Sequence, residues 1–152
     1  MKQELSGWGN YPRHVCQVYD ATALDRFDQV VIARGLGRGY GDCAIQVSGT
    51  LSTANYTKIE AFDQEQGLLV AQSGCSLISI LREITPSGWF IPVTPGTQYV
   101  TLGGMIAADV HGKNHHCDGS FAQFVDWIDL RDAEGAIHRV SREHHSEWFE
   151  WT

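Results

Sequence analysis

The chain has 152 residues, of which 43% are hydrophobic and 19% are charged, a composition typical of a folded globular protein. Its formal net charge of −7 argues against a general nucleic-acid-binding surface, which would need a basic stripe. No apolar run approaches the length that spans a bilayer, and the N-terminus lacks a signal-peptide core. The four cysteines form no Cys-x-x-Cys pair, so we expect reduced thiols in a cytoplasmic protein.

The first half of the chain is expected to contain short strands and little helix. Residues 1–15 are aromatic and turn-prone without a strong period. The elements predicted after them are a short helix over Ala21–Gln29 with Asp20 as its N-cap, a buried strand over Val30–Ala33, a strand over Leu51–Ala54, and a hairpin of Ile59–Asp63 and Leu68–Gln72.

The second half is expected to mix helices with extended segments. A helix over Leu77–Thr85 would bury Leu77, Ile78, Leu81 and Ile84 and end at Pro86–Gly88. The elements predicted after it are an extended segment over Phe90–Val93, a turn over Thr94–Thr97, an apolar helix over Gly103–Val110, a hairpin of Val125–Leu130 and Ala136–Val140, and a last helix capped by Ser141 with Trp148, Phe149 and Trp151 on its apolar side. Without regular strand–helix alternation, an α+β fold is the expected class.

A glycine-rich loop follows the Val30–Ala33 strand. Glycine occupies every second position from Gly35 to Gly41, and Arg34 and Arg38 lie among the glycines. Without Cβ atoms, backbone N–H groups can approach a ligand closely, and guanidinium groups fork onto phosphate oxygens. A turn between strands is the alternative, but the density of glycine and the two arginines favour a diphosphate cradle.

Two common glycine-rich nucleotide-binding motifs do not match this loop. The dinucleotide-binding fingerprint needs a third glycine where the chain has Tyr40 or Asp42, depending on the starting glycine, and a P-loop needs a lysine. Gly103 and Gly104 open the predicted apolar helix, which makes its N-terminus a second candidate anion site.

A histidine-rich segment follows that helix. His111 stands where the helix is expected to end, and Lys113 follows on the same side of an extended segment, so the two side chains could face one ligand. His111, His115, His116 and Cys117 could be interpreted as a zinc site, but the adjacent His115 and His116 would point apart and no matching ligand pair is evident elsewhere. We interpret His115, His116, His144 and His145 as polar surface residues.

Together these motifs resemble the N-terminal flavin-binding part of the vanillyl-alcohol-oxidase (PCMH-type) superfamily. The segments that carry the likeness are Arg34–Asp42, Thr94–Thr97, Val100–Gly104 and His111–His116, and their order extends the likeness from Ser6 to Phe149. The likeness is strongest to the branch of decaprenylphosphoryl-β-D-ribose 2′-oxidases and sugar-lactone oxidases.

The resemblance implies FAD bound between two α+β subdomains. The glycine loop would wrap the diphosphate, a second group of residues would line the opposite side, and a third would run under the flavin. The implied cofactor-binding residues are Ala33, Arg34, Gly35, Leu36, Gly37, Arg38, Gly39, Tyr40, Gly41, Asp42 and Cys43, then Gly96, Thr101, Leu102, Gly103 and Gly104, then Ala108, Asp109, Val110 and His111. His111 would shape the site beside the flavin and Lys113 would hold substrate oxygens, as the catalytic residues.

Three departures from the family bear on the expected function. Some relatives attach the flavin through a histidine at the position of Arg38, so noncovalent FAD is expected here. The segment between Tyr19 and Val30 is shorter than in mycobacterial-type enzymes, which leaves room for only a small helix. The family also continues well past residue 152, so residues 1–152 are expected to be an FAD-binding domain with an incomplete second subdomain and no substrate domain.

The resulting first hypothesis is an FAD-dependent oxidoreductase acting on the alcohol carbon of a sugar, a sugar lactone or a lipid-linked sugar. Its electron acceptor is left open, and peripheral membrane association is compatible with such a substrate. The second hypothesis is a flavin-binding fragment without turnover of its own. The third is a metal-binding module built on the histidine and cysteine cluster.

Overall fold

The computed structural model describes residues 1–23 and 28–152, and its mixture of helix and strand confirms the α+β class. The elements are, in chain order, β1 (Lys2–Ser6), β2 (Arg13–Asp20), β3 (Ile32–Arg34), β4 (Thr50–Ser52), β5 (Ile59–Asp63), β6 (Leu68–Ala71), α1 (Leu77–Ile84), α2 (Leu102–Ala107), α3 (His115–Asp118), β7 (Trp127–Arg131), β8 (Ile137–Ser141) and α4 (Ser146–Trp151). These are the elements of the described residues alone.

The first four strands form one sheet in the order β1-β2-β4-β3. β1 pairs antiparallel with β2, whereas β2 and β3 each run parallel to β4. Arg34 of β3 lies opposite Ser52 of β4, and the Thr53 N–H donates to the Arg34 carbonyl at 2.9 Å. The glycine loop therefore leaves the sheet from the carboxyl end of a fixed strand.

The predicted lead-in over residues 1–15 is wrong, because β1 and the start of β2 fall within it. β1 is an edge strand, and its residues Lys2, Gln3 and Glu4 are exposed, so the sequence shows little of the alternation that marks a half-buried strand. The predicted strand Val30–Ala33 is displaced to Ile32–Arg34, and the Val30 side chain is exposed.

The predicted helix over residues 21–29 begins as a 3₁₀ turn, Ala21–Ala23, and the remainder of that prediction extends into residues 24–27, outside the described residues. Asp20 accepts the N–H of Thr22 at 2.9 Å, as a capping residue does. Both predicted hairpins are confirmed, β5 with β6 and β7 with β8.

Helix α1 lies between the two hydrophobic clusters of the core. Leu77 packs into the first cluster with Val93, Met105, Phe121 and Val125. Ile80 and Ile84 pack into the second cluster with Cys75. The predicted apolar face omitted Ile80, which is fully buried, and included Ile78, which is only half-buried.

The later helices differ from their predicted bounds. α2 covers Leu102–Ala107 rather than Gly103–Val110, and α3 forms inside the segment expected to be a polar loop. Ser141 does not cap α4, because it is the last residue of β8 and its hydroxyl accepts the N–H groups of Glu143 and His144. The extended segment Phe90–Val93 joins no sheet within the described residues.

Candidate functional site

The glycine loop, Ala33–Cys43, lies against the start of α2. A Cβ added to Gly35 would lie 2.2 Å from Oγ1 of Thr101, and one added to Gly37 would lie 2.3 Å from a guanidinium nitrogen of Arg34. A Cβ on Gly39 would lie 2.7 Å from Sγ of Cys43. Glycine is therefore favoured at position 35 by the closeness of the buried Thr101 and at position 37 by its φ of 68°, whereas the close atoms at positions 37 and 39 are side-chain ends that can shift.

The backbone donors of this loop are unused. Within the described part of the chain, no N–H group from Gly35 to Cys43 donates a hydrogen bond to a protein acceptor. The loop is mostly exposed, and Gly37 and Gly41 hold positive φ angles of 68° and 59°. Successive N–H groups in such a conformation form an anion-binding concavity, which fits the predicted diphosphate cradle.

The Arg34 side chain binds backbone carbonyl groups at the base of the glycine loop. Its guanidinium donates to the carbonyl oxygens of Ser6 at 2.7 Å and of Ala44 at 3.5 Å, and burial lowers the pKa of Arg34 below its usual range. The side chain thus ties the two ends of the loop to the first strand. The predicted fork from Arg34 to a phosphate competes with these bonds.

Arg38 lies at the outer side of the loop and is exposed. Its Nε donates to the Tyr99 carbonyl at 3.1 Å, and its Cζ lies 4.8 Å from the ring centroid of Trp8. This one side chain therefore connects the glycine loop to the segment that follows the Thr94–Thr97 turn.

At the N-terminus of α2, unlike in the glycine loop, the backbone N–H groups donate to acceptors within the chain. The N–H groups of Leu102 and Gly103 donate to the carbonyls of Cys75 and Ser73, each at 2.8 Å. The Gly104 N–H donates to Oγ1 of its N-cap residue Thr101 at 3.2 Å. All three donors have acceptors within the chain, so these N–H groups are not free for the anion that the Gly103-Gly104 pair predicts, and this end of α2 packs against the glycine loop.

A surface cleft of about 420 Å³ adjoins the Tyr99 end of the loop. The residues that line it are Leu77, Leu81, Phe90, Thr94, Pro95, Gly96, Thr97, Gln98 and Tyr99. A Cβ added to Gly96 would meet no atom within 4 Å, so this predicted cofactor residue faces open space.

The segment from Ala108 to His111 is fixed by backbone and side-chain contacts. Asp109 holds a φ of 39°, and its carboxylate accepts the Ala122 N–H at 3.0 Å. The Val110 carbonyl accepts the Phe121 N–H at 2.9 Å, and His111 pairs with Ser120 in an isolated bridge. This segment therefore has a defined course past the end of α2.

His111 and Lys113 are both exposed. The His111 ring lies edge-on to the His115 ring at 5.3 Å, and His115 Nδ1 lies 3.0 Å from the Gly112 carbonyl oxygen. Between the two candidate residues, a Cβ on Gly112 would lie 2.9 Å from the Thr94 carbonyl oxygen, so this segment abuts the predicted turn. Within the described residues, Lys113 makes no hydrogen bond or ion pair and is available to a ligand.

Asn114 has a role that sequence reasoning missed. Its Nδ2 donates to the Pro92 carbonyl at 3.0 Å and to the Asp118 carboxylate at 2.7 Å. The side chain thereby anchors the segment that carries His111 and Lys113. An asparagine directly before a short helix is a recognisable signal for such a local role.

Among the described residues, no group of three or more His, Cys, Asp or Glu side chains could hold a metal ion, so nothing there supports the histidine and cysteine cluster as a metal site. The four cysteines are free thiols, with Cys16 and Cys75 buried and Cys43 and Cys117 exposed. Burial raises the pKa of the Cys75 thiol. No helix in the described ranges is long and apolar enough to cross a membrane.

The fold and the loop fit an anion-binding cofactor domain, and sequence comparison shows that the cofactor is a flavin. The profile of the FAD binding domain family matches residues 11–141, which is most of the chain. The chain belongs to this FAD-binding family, and FAD is its cofactor.

Two relatives are similar to this chain in sequence. The chain is 34% identical over 151 aligned residues to decaprenylphosphoryl-β-D-ribose oxidase of Mycolicibacterium smegmatis, covering 91% of this chain and 33% of that protein. It is 49% identical over 59 residues to an uncharacterized protein of Streptomyces coelicolor, covering 39% of this chain and 16% of that protein. The chain therefore spans about a third or less of these relatives.

Solved structures show the same fold. A carbohydrate oxidase from Microdochium nivale superposes with a TM-score of 0.69 at 17% identity, covering 80% of this chain and 26% of that chain. A 6-hydroxy-D-nicotine oxidase from Arthrobacter nicotinovorans gives a TM-score of 0.65 at 16% identity, again covering 80% and 26%. These likenesses confirm the PCMH-type fold that the sequence resemblance implies.

Proposed function

We propose that the glycine loop binds the diphosphate of FAD, and that the whole protein is an oxidoreductase acting on an alcohol carbon of a sugar or lipid-linked sugar. The observation that carries the cofactor site is the run of unused backbone donors from Gly35 to Cys43. A diphosphate offers the acceptors that such a run lacks, and it brings charge that Arg38 can balance.

The opposite wall of the site acts by packing. Thr101 supports the loop at Gly35, while Leu102, Gly103 and Gly104 use their own N–H groups inside the chain. Gly96 borders the open cleft beside Tyr99. In this proposal Ala108, Asp109, Val110 and His111 run beneath the flavin, and their fixed backbone course supports that role.

The flavin is proposed to be held without a covalent bond. The position at which some family members carry the attaching histidine is Arg38, whose guanidinium is not a nucleophile. After precipitation of the FAD-loaded protein with acid, we expect all flavin in the supernatant. Flavin that remains in the pellet after denaturing washes would contradict the proposal.

The sugar class of substrate is supported by the printed names of two similar proteins, a decaprenylphosphoryl-β-D-ribose oxidase and a carbohydrate oxidase. FAD, when bound, supplies the acceptor for the electron pair in such an oxidation. The exposed cation of Lys113 is proposed to hold substrate oxygens, and the His111 imidazole to lie beside the reacting carbon, because both side chains are accessible on one short segment.

Cofactor binding is tested by titrating FAD with the protein and following FAD fluorescence anisotropy. We expect saturable one-to-one binding, at least about 100-fold tighter than that of riboflavin, because riboflavin lacks the phosphates that the loop would bind. Equal affinity for FAD and riboflavin would remove the loop from the cofactor site.

A second candidate function, for residues 1–152 by themselves, is FAD binding without turnover; these residues correspond to 33% of the M. smegmatis relative. The two are separated by adding a panel of sugars and sugar lactones to the FAD-loaded protein without oxygen. Bleaching of the flavin absorbance supports the oxidoreductase, and His111→Ala should then slow bleaching at least about tenfold with FAD affinity retained. An unbleached flavin supports the second candidate.

A further inference from the structure

The N-terminal segment Ser6–Gly9 lies against the second half of the glycine loop. A Cβ added to Gly7 would lie 2.2 Å from the Gly41 carbonyl oxygen and 2.7 Å from that of Gly39. The N–H of Trp8 donates to the Gly39 carbonyl at 2.9 Å. These contacts make the segment a third wall of the loop, beside β3 and α2. The segment precedes residue 11, where the match to the FAD-binding family begins.

Three separate parts of the chain meet at Arg38. The guanidinium stacks over the Trp8 ring at 4.8 Å from its centroid, and its Nε donates to the Tyr99 carbonyl at 3.1 Å. A cation over an indole face and a charged hydrogen-bond donor are both favourable interactions. They join residue 8, residue 38 and residue 99, which are far apart in the sequence.

The Trp8 side chain has no other evident packing role. The ring is 53% exposed and belongs to neither hydrophobic cluster of the described residues. A large apolar side chain left half in water gains little from burial. The contact of its ring with Arg38 is therefore its distinguishing contribution.

We infer that Trp8 is a positioning residue for the cofactor. Together, Trp8, Arg38 and the Tyr99 carbonyl form a clamp that holds the glycine loop in the shape in which its N–H groups are unused. The inference rests on the proposed function, in which those N–H groups bind the FAD diphosphate. Trp8 acts through Arg38 and the loop backbone and need not touch FAD.

A double-mutant cycle tests the clamp. FAD affinity is measured by fluorescence anisotropy for the unchanged protein, Trp8→Leu, Arg38→Met and the double variant. We expect about 5-fold weaker binding for Trp8→Leu and about 10-fold for Arg38→Met, from the usual strengths of cation–π contacts and charged hydrogen bonds. The double variant should bind within about 2-fold of Arg38→Met alone, because Trp8 has lost its partner.

Two control variants separate positioning from a general effect on the fold. Arg139→Met removes a similar pair, the Arg139 guanidinium 3.8 Å from the Trp127 ring centroid, on the β7–β8 hairpin, and should leave FAD affinity unchanged. Trp8→Phe keeps an aromatic face and should restore affinity to within about 2-fold of the unchanged protein. The melting temperature of Trp8→Leu without FAD should change by no more than about 2 °C, because the ring is half exposed.

The outcomes are distinct. Unchanged FAD affinity in Trp8→Leu, or effects of Trp8→Leu and Arg38→Met that simply multiply in the double variant, would overturn the clamp while leaving the proposed function intact. A loss of affinity in Trp8→Leu that only matches a large fall in melting temperature, and that Trp8→Phe also shows, would overturn it as well. Failure of the unchanged protein to bind FAD would overturn the proposed function and the clamp together.

Discussion

The glycine loop and the N-terminus of α2 look alike in sequence and differ in what their backbone donors do. Both contain closely spaced glycines, and both are expected to bind an anion. In the folded chain, the N–H groups of Leu102, Gly103 and Gly104 all have protein acceptors, whereas those from Gly35 to Cys43 have none within the described residues. Glycine spacing therefore indicates that backbones approach closely. Whether the N–H groups have protein acceptors then distinguishes a packing site from a candidate ligand site.

The largest expected effect comes from placing a methyl group where the two regions meet. In Gly35→Ala the new Cβ would lie 2.2 Å from Oγ1 of the buried Thr101. Overpacking of this kind costs about 1–3 kcal/mol and should move the loop, so we expect FAD affinity to fall roughly 30-fold or more. FAD anisotropy and thermal melting measure the two effects.

Gly9→Ala is the matched control, since its Cβ would meet no atom within 4 Å. Its affinity and melting temperature should equal those of the unchanged protein. If Gly35→Ala behaved like Gly9→Ala, the loop and α2 would not be packed as described.

A smaller effect is expected from removing the guanidinium beneath the loop. Arg34→Met leaves the carbonyls of Ser6 and Ala44 without their charged donor. Charged hydrogen bonds contribute about 1.5–3 kcal/mol, so we expect the free energy of unfolding to fall by about that amount and FAD affinity to fall with it. Urea unfolding checks the first change, and a variant with full stability but no FAD affinity would instead assign Arg34 to the diphosphate.

Thr101→Ala tests whether the N-terminus of α2 contributes packing rather than anion binding. Losing the N-cap should cost about 1 kcal/mol of stability, while Thr101→Ser keeps the cap and costs little. Because the N–H groups of Leu102 and Gly103 keep their backbone acceptors in this variant, we expect the FAD dissociation constant of Thr101→Ala to change less than about 3-fold. A strong loss of FAD affinity without a fall in melting temperature would show that the N-terminus of α2 does bind the anion.

The smallest effect concerns carboxylates that lie outside both regions. Hydrogen bonds lower the pKa of Asp129, through Arg139, and of Asp132, through His138, below the usual 3.8. A lowered pKa stabilises the fold above 3.8 and loses that contribution as pH falls through the folded value. Asp129→Asn should therefore slightly lower the stability to urea at neutral pH, make no difference in strong acid, and leave FAD affinity at neutral pH unchanged.

Local patterns in the sequence predicted much of this fold. The two hairpins and α1 follow from alternation and helical periodicity over a few residues, and the α+β class follows from their mixture. β1 was not predicted, because an edge strand with exposed Lys2, Gln3 and Glu4 shows no clear alternation of apolar and polar residues. The wrong cap at Ser141 reflects a turn in which its hydroxyl had nearer donors.

Part of the candidate site was also predictable from the sequence, and part was not. The glycine loop and the order of motifs are visible in the sequence, because they are local. The acceptors of the α2 donors, Ser73 and Cys75, come from a distant part of the chain, as do the Ser6 carbonyl beneath Arg34 and the Trp8 ring over Arg38. Such partners are set by tertiary packing, so no pattern within either motif contains them.

Amide hydrogen exchange of the two regions, with and without FAD, tests the central claim most directly. We predict that amides from Gly35 to Cys43 exchange rapidly in the free protein and become protected when FAD is added. Amides of Leu102, Gly103 and Gly104 should be protected in both states. Protection of the loop without FAD, or protection by FAD at residues 102–104 alone, would contradict the account.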